Sequence, residues 1–168
     1  MWEPQHEHTT LMRQEEAAMD IITAVKSVYS KYATFSGRAS RAEYWYFFLF
    51  TIIAGAALSA IDSTLATAFS IANVVPNLAV AVRRLHDTNR SGKLIVALIL
   101  VEVVLFLVIV VSFVAGISGA IGGNENVATG GGIGVLVGVV LFVVLAIYWI
   151  YLMAKRGDAG PNRFGDPS

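Results

Sequence analysis

Four long apolar stretches constrain the fold of this chain more than any other feature of its sequence. They cover residues 44–61, 64–82, 94–117 and 133–154, and the third contains a single charged residue, Glu102. A helix that crosses a bilayer needs about 20 consecutive, mostly apolar residues. Charged residues make up only 14 % of the chain, well below the quarter or so that is usual in soluble domains. The sequence therefore predicts an all-α integral membrane protein, a transmembrane bundle of four helices.

The positions of the basic residues predict the orientation of these helices. All twelve lysines and arginines lie before the first stretch, between the second and third, or after the fourth. The turn at 62–63 and the segment 118–132 contain none. Short loops rich in lysine and arginine stay on the cytoplasmic side, so we expect both termini and the loop 83–93 in the cytoplasm.

The remaining segments complete the predicted domain organisation. Residues 1–9 are predicted to be a disordered tail, and 34–168 to be the four-span membrane domain. Between them, residues 10–33 carry apolar side chains at helical spacing, which predicts an amphipathic helix that lies on the inner membrane surface or packs on the cytoplasmic loops. The glycine-rich segment 116–132 is predicted to be a flexible outer loop.

Helix-end patterns flank the membrane domain. Ser40 and Glu43 stand in the spacing of a capping box, which predicts a helix that begins beside Ser40. Gly157 follows the last stretch, where a glycine in the left-handed conformation commonly ends a helix.

Three polar motifs lie outside the apolar stretches or at their ends. They are ATFSGRASRAEYW at 33–45, RRLHD with RSG at 83–92, and GDAGPNRFG at 157–165. Together they resemble the bacterial inner-membrane family called domain of unknown function 805, over roughly residues 32–167. The resemblance implies a small multi-span bacterial membrane protein, and it implies no particular reaction.

The predicted topology brings all three motifs to the cytoplasmic face, and three interpretations of their charges stay open. The arginines could anchor helix ends in headgroups and pair with the nearby carboxylates. The same surface could bind lipid headgroups, an anion or a protein partner, because the planar guanidinium recognises phosphate well. The candidate surface comprises Arg38, Arg41, Glu43, Arg83, Arg84, His86, Asp87, Arg90 and Arg163.

The third interpretation is an enzyme that acts on a lipid, with Asp87 orienting His86 as a general base. Neighbours on a helix point about 100° apart, so these two side chains are poorly placed to pair. We therefore expect a non-enzymatic protein with no catalytic residue.

A second candidate site lies within the membrane. Glu102 is about 13 Å from the start of its stretch, and an ionisable residue at such depth suggests a functional site. Asn73 and Asn77 lie at similar depth on the second stretch, beside Pro76, which frees the carbonyl of Ala72. We predict that Glu102 faces Asn73, either as a protonated packing contact or as part of a small transporter or channel.

The same sequence patterns indicate which binding partners to expect. Anionic membrane lipids are expected, and Gly130, Gly134 and Gly138 form a small-residue stripe suited to internal packing or to a homo-oligomer. The chain has no cysteine, and no cofactor or metal is expected. The basic loop lacks a recognisable nucleic-acid-binding fold, so no nucleic-acid partner is expected.

Overall fold

The computed structural model describes residues 20–167, and within that part the chain is all-helical. The prediction of an all-α protein with four spans is confirmed, because α2 to α5 are each long and apolar enough to cross a bilayer. The predicted tail 1–9 and residues 10–19 of the predicted amphipathic helix lie outside the described residues. The helices are α1 (Ile21–Ser30), α2 (Arg41–Ile61), α3 (Ser63–Asp87), α4 (Lys93–Ile121) and α5 (Glu125–Ala154).

The helices form two compact units. Within the described residues, the first unit comprises 20–89 and 156–167, so it contains α1, α2, α3 and the segment that follows α5. The second unit comprises 90–155 and contains α4 and α5.

In the first unit, α2 and α3 form an antiparallel hairpin around one residue, Asp62. Its carboxylate accepts hydrogen bonds from the amides of Thr64 (2.6 Å) and Leu65 (3.0 Å), which caps α3. These amide donors lower the pKa of Asp62 because they stabilise its charged form. At the other end, the Ser40 hydroxyl accepts from the amide of Glu43 at 3.1 Å, so the predicted helix start is confirmed.

The short helix α1 packs against this hairpin. Ala24 and Val28 on one of its faces are fully buried, and the ring of Tyr29 meets Phe47 edge-on with centroids 5.4 Å apart. The opposite side exposes Lys26 to solvent or lipid. An interfacial position for α1 on the membrane stays a prediction.

The second unit is a hairpin of α4 and α5 whose helices touch through glycine. A Cβ on Gly131 would overlap the backbone of Gly116, and a Cβ on Gly119 would overlap the backbone of Ala128. A glycine inside a helix costs about 1 kcal/mol relative to alanine, and close helix contact in a membrane offsets that loss. The prediction of a flexible loop over 116–132 is therefore wrong, because all but residues 122–124 of this segment are helical.

The predicted glycine stripe is correct at two of its three positions. Gly134 faces Ser112 and Gly138 faces Ile109, both on α4 of the same chain. Gly130 has open space around it, and Gly131 occupies the contact instead. Internal packing thus accounts for Gly134 and Gly138, while a homo-oligomer through this stripe stays a prediction.

Candidate functional site

A buried group of charged and polar side chains lies where α2 begins and α3 ends. Each of its members is less than 10 % exposed, although five of them are arginine, aspartate or glutamate. Side chains of this kind are almost never fully buried unless they are paired. We call this group the polar cluster; it comprises Arg38, Glu43, Arg83, Arg84, His86 and Asp87.

The local backbone explains why the cluster forms at this end of the hairpin. The Thr88 hydroxyl donates to the carbonyl of Leu85 at 3.0 Å, and Asn89 adopts a left-handed conformation with φ of +56°. Asparagine tolerates that conformation better than most residues, so α3 ends directly after Asp87. The amide of Ala39 also donates to the carbonyl of Arg83 at 3.0 Å, which fixes the chain that leads into α2.

Asp87 lies between two guanidinium groups. One of its oxygens accepts from Arg38 Nε at 2.9 Å and contacts Arg38 Nη2 at 2.8 Å. The other oxygen accepts from Arg84, one turn earlier on the same helix. One carboxylate thus compensates the positive charge of two buried arginines.

A second ion pair joins three helices. Arg83 donates to Glu43 Oε1 at 3.1 Å, and the hydroxyl of Ser27 on α1 donates to the same oxygen at 3.1 Å. Arg83 is only 1 % exposed, and its Nε and Nη2 atoms have no hydrogen-bond partner within the described part of the chain. The cluster therefore contains more buried donors than its own acceptors satisfy.

The segment 156–167 returns to the cluster through Arg38. The Nη1 atom of Arg38 donates to the carbonyl of Gly160 at 2.8 Å, and its Nη2 donates to the carbonyl of Asp158. The amide of Asp158 in turn donates to the carbonyl of Asp87 at 2.8 Å. One guanidinium thus joins the end of α3 to this segment.

Gly157 has a role different from the predicted one. It does not adopt the left-handed conformation, and a Cβ at this position would overlap the carboxylate of Asp87. The prediction of a left-handed helix end at Gly157 is wrong. Glycine is needed here because the backbone passes directly over the Asp87 carboxylate.

His86 makes contacts that differ from those of Asp87. Its ring stacks on Phe164, with centroids 3.8 Å apart and planes 2° from parallel. Its Nδ1 lies 3.1 Å from the carbonyl oxygen of Gly37; because a carbonyl only accepts, Nδ1 carries the hydrogen. Arg163 lies over the same Phe164 ring at 4.7 Å. The two neighbours on α3 therefore serve separate contacts, as their helical spacing predicts.

A pocket of about 260 Å³ opens beside the cluster. Arg41 and Arg156 are both exposed there, and neither makes a hydrogen bond or ion pair with any residue from 20 to 167. The lining residues are Arg38, Ser40, Arg41, Asp87, Arg156, Gly157, Asp158, Ala159 and Pro167.

The structure thus brings together most of the predicted surface. The polar cluster contains six of the predicted residues, Arg41 lines the adjacent pocket, and Arg163 contacts Phe164. Arg90 belongs to the second unit, where its Nη1 donates to the hydroxyl of Tyr148 at 3.3 Å.

The polar residues in the middle of α3 are satisfied by α1 and by their own helix. Asn73 Oδ1 accepts from the Tyr29 hydroxyl at 2.8 Å, and Asn73 Nδ2 donates to the carbonyl of Phe69 at 2.8 Å. Asn77 Nδ2 donates to the carbonyl of Asn73 at 2.8 Å. Burial raises the pKa of Tyr29 because the phenolate would lose its solvation, so this phenol stays a donor.

Tyr32 also contacts the middle of α3. Its hydroxyl donates to the carbonyl of Ala72, which lies four residues before Pro76, inside α3. This is the carbonyl that the missing N–H of proline leaves without its helical partner. The chain just after α1 therefore repairs the gap in the hydrogen-bond ladder of α3.

Glu102 lies on α4 in the second unit and is half-buried. It makes no hydrogen bond or ion pair with any described residue. Its predicted contact with Asn73 stays a prediction.

Sequence reasoning missed three residues whose side chains make the contacts described above. Phe164 carries a usable signal, because it is the single aromatic residue in 156–168. Tyr32 lies among apolar residues of helical spacing, and nothing local marks its bond to Ala72. Ser27 carries no signal, because its partner Glu43 lies 16 residues away.

Comparison with known proteins finds bacterial membrane proteins that are similar to part of this chain. Inner membrane protein YhaI of Escherichia coli strain K12 is 45 % identical over 73 residues, covering 39 % of this chain and 62 % of that protein. Inner membrane protein YhaH of the same strain is 40 % identical over 76 residues, covering 39 % and 63 %. The chain thus spans less than two thirds of the length of either relative. No solved structure matches the chain.

The family comparison covers far more of the chain. The model of the family described as "Protein of unknown function (DUF805)" matches residues 32–166. This range includes α2 to α5, the polar cluster and the segment that returns to Arg38. The chain belongs to the DUF805 family.

Proposed function

We propose that this protein is a non-enzymatic module of the bacterial inner membrane whose cytoplasmic face binds anionic groups, above all those of lipid headgroups. One observation carries the proposal. The polar cluster buries three arginines against two carboxylates, and two buried donors of Arg83 have no partner among residues 20–167. Burying positive charge without compensation is unfavourable, so a nearby anion would stabilise this end of the hairpin.

The charge distribution along the chain supports a cytoplasmic position for this face. Every lysine and arginine of the chain lies on the side that holds the polar cluster in a four-span topology, as expected for cytoplasmic segments. The relatives YhaI and YhaH carry the description inner membrane protein, which supports the same membrane for this chain.

Cysteine labelling tests this orientation directly, because the chain has no cysteine of its own. We expect Glu125→Cys, at the exposed start of α5, to react with an impermeant maleimide in intact spheroplasts. Asp166→Cys should react only after the membrane is permeabilised. The reverse pattern would contradict the proposed orientation.

The contacts of His86 and Asp87 support a structural use over a catalytic one. Nδ1 of His86 donates to a backbone carbonyl and its ring is stacked. Both oxygens of Asp87 accept from arginines. A general base needs a free acceptor that can reach substrate; the oxygens of Asp87 are taken by arginines, and Asp87 does not orient the His86 ring as the catalytic interpretation requires.

The proposed function is tested by lipid selectivity. We expect the full-length protein in nanodiscs to prefer phosphatidylglycerol over phosphatidylcholine several-fold, since each basic residue near an anionic surface contributes about 1 kcal/mol. Native mass spectrometry of the lipids retained by the protein measures this preference. Added salt should reduce it for exposed charges. Equal retention of the two lipids at low salt would refute the proposal.

A further inference from the structure

The pocket beside the polar cluster has the composition of an anion site. We propose that it binds one phosphate group, carried by a phospholipid headgroup or free in solution, through Arg41 and Arg156. This inference rests on the proposed function, because it assigns the anion of that function to one place in the fold.

The first argument is charge. Arg41 and Arg156 line the pocket and pair with no described residue. Among the acidic neighbours, Asp87 is held by Arg38 and Arg84. Asp158 accepts from Asn162 Nδ2 at 3.2 Å. The pocket is lined by three arginines and two aspartates, an excess of one positive charge, and Arg84, which pairs with Asp87 but does not line the pocket, adds another.

The second argument is the chemistry of the free side chains. A guanidinium presents paired N–H donors in one plane, which suits two oxygens of the same phosphate. The two arginines that pair with no described residue come from distant parts of the sequence, one at the start of α2 and the other just after α5. Their meeting at one pocket is a product of the fold of the first unit, in which Gly157 passes over Asp87.

The third argument is the backbone at the pocket wall. Ser40 caps α2 and Arg41 is its first residue, and both line the pocket. The start of a helix carries partial positive charge on its amides, which favours a bound anion. This contribution adds to that of the two guanidinium groups.

The size of the pocket suits a small group. Its volume of about 260 Å³ lies below the range of about 300–1,000 Å³ that is usual for pockets that enclose small organic ligands. A single phosphate with a short ester arm fits within this space.

The position of the pocket along α2 favours the lipid source. Tyr44, Trp45 and Tyr46 follow Arg41 within about one and a half turns. Tyrosine and tryptophan concentrate at the level of the headgroups in membrane proteins. A phosphate at the start of α2 would therefore lie at headgroup depth.

The test compares two double variants with the same change in charge. Arg41→Gln with Arg156→Gln removes both free guanidiniums of the pocket. Lys31→Gln with Lys93→Gln removes two exposed charges that do not line it. All four side chains lack hydrogen bonds to the described residues, so both variants should fold, and their thermal unfolding midpoints check this.

Retention of phosphatidylglycerol over phosphatidylcholine is measured in nanodiscs for the wild type and both variants. We expect the pocket variant to lose this several-fold preference and retain the two lipids about equally, and the control to keep most of the wild-type preference. In a second arm, inorganic phosphate is titrated into each protein in phosphatidylcholine nanodiscs. Binding of phosphate that disappears in the pocket variant alone identifies a soluble anion as a ligand of the site.

The outcomes separate the two proposals. In one outcome, the wild type and the pocket variant both prefer phosphatidylglycerol, and inorganic phosphate does not bind. This result overturns the pocket as the binding site and leaves the proposed function standing. Equal losses in the two double variants would also overturn the pocket, because they indicate a diffuse effect of charge. If the wild type neither prefers phosphatidylglycerol nor binds inorganic phosphate, both the pocket and the proposed function are overturned.

Discussion

The two helix hairpins of this protein are held together by different kinds of contact. At one end of the α2–α3 hairpin, Arg83 and Asp87 form buried ion pairs with Glu43 and Arg38. In the α4–α5 hairpin, glycines such as Gly116 and Gly131 let the two backbones touch. The first hairpin therefore depends on charge and direction, and the second depends on shape.

This difference reflects what lipid offers to a helix pair. Lipid tails are as apolar as leucine, so apolar burial does little to select one helix partner over another. Small residues give selectivity by close approach. Charged residues give it by directional bonds, but they are too costly at the centre of a bilayer, which is consistent with a polar cluster confined to one end of its hairpin.

The largest expected effect comes from removing the shared carboxylate of the first hairpin. Asp87→Ala leaves Arg38 and Arg84 buried without their common partner, and breaking a buried pair in this way costs about 3–5 kcal/mol. We expect a large fall in the thermal unfolding midpoint, measured by size-exclusion chromatography after heating in detergent. Asp166→Ala, at an exposed position, is the control, and equal midpoints for the two variants would contradict the role of the cluster.

A single methyl group tests the second hairpin. Gly131→Ala places a Cβ against the backbone of Gly116, and overpacking of this kind costs about 1–3 kcal/mol. Gly130→Ala, one residue away in open space, should be neutral or stabilising by up to about 1 kcal/mol. The same heating assay compares them, and a Gly131→Ala protein as stable as Gly130→Ala would show that the helices do not touch there.

A smaller effect is expected where a single hydrogen bond is lost. Tyr32→Phe leaves the Ala72 carbonyl without the donor that replaces the missing N–H of Pro76. We expect a destabilisation of about 1 kcal/mol. Tyr46→Phe is the matched control, because the Tyr46 hydroxyl makes no hydrogen bond among the described residues. If both variants unfold at the same temperature, Tyr32 does not repair the hydrogen-bond ladder of α3 as described.

The smallest effect is expected at the half-buried carboxylate of the second unit. Glu102→Gln keeps the shape of a side chain that bonds no described residue, so stability should change by no more than about 0.5 kcal/mol. The unfolding midpoint measures this. A fall comparable to that of Asp87→Ala would reveal a charged partner, while loss of ion or proton flux in liposomes with unchanged stability would support the alternative of a transporter.

The sequence predicts the spans well because their signal is local: about 20 apolar residues in a row need no knowledge of the fold. The start of α2 was predictable for the same reason, since Ser40 and Glu43 are three residues apart. The pairings between residues far apart in the sequence could not be predicted. Arg83 and Arg84 are neighbours with identical side chains, yet one reaches Glu43 and the other Asp87, and only the direction of each side chain from α3 decides this.

The errors at glycine have a common cause. Gly157 looked like a helix end and 116–132 looked like a loop, because glycine is usually interpreted through its backbone freedom. In both places glycine is needed because a side chain would overlap a facing group. That group is the Asp87 carboxylate at Gly157 and the backbone of the facing helix in 116–132. Sequence does not distinguish these uses when the facing group is far away along the chain.

The return of segment 156–167 to Arg38 has a consequence for biosynthesis. Arg38 and Gly160 are separated by 122 residues, and the whole of the second unit is translated between them. The first unit is therefore interrupted by the second, and the contacts of Arg38 with Asp158 and Gly160 cannot form while α4 and α5 are entering the membrane. Until then Arg38 lacks its carbonyl acceptors, so the final structure of the first hairpin forms only after translation has passed the last span.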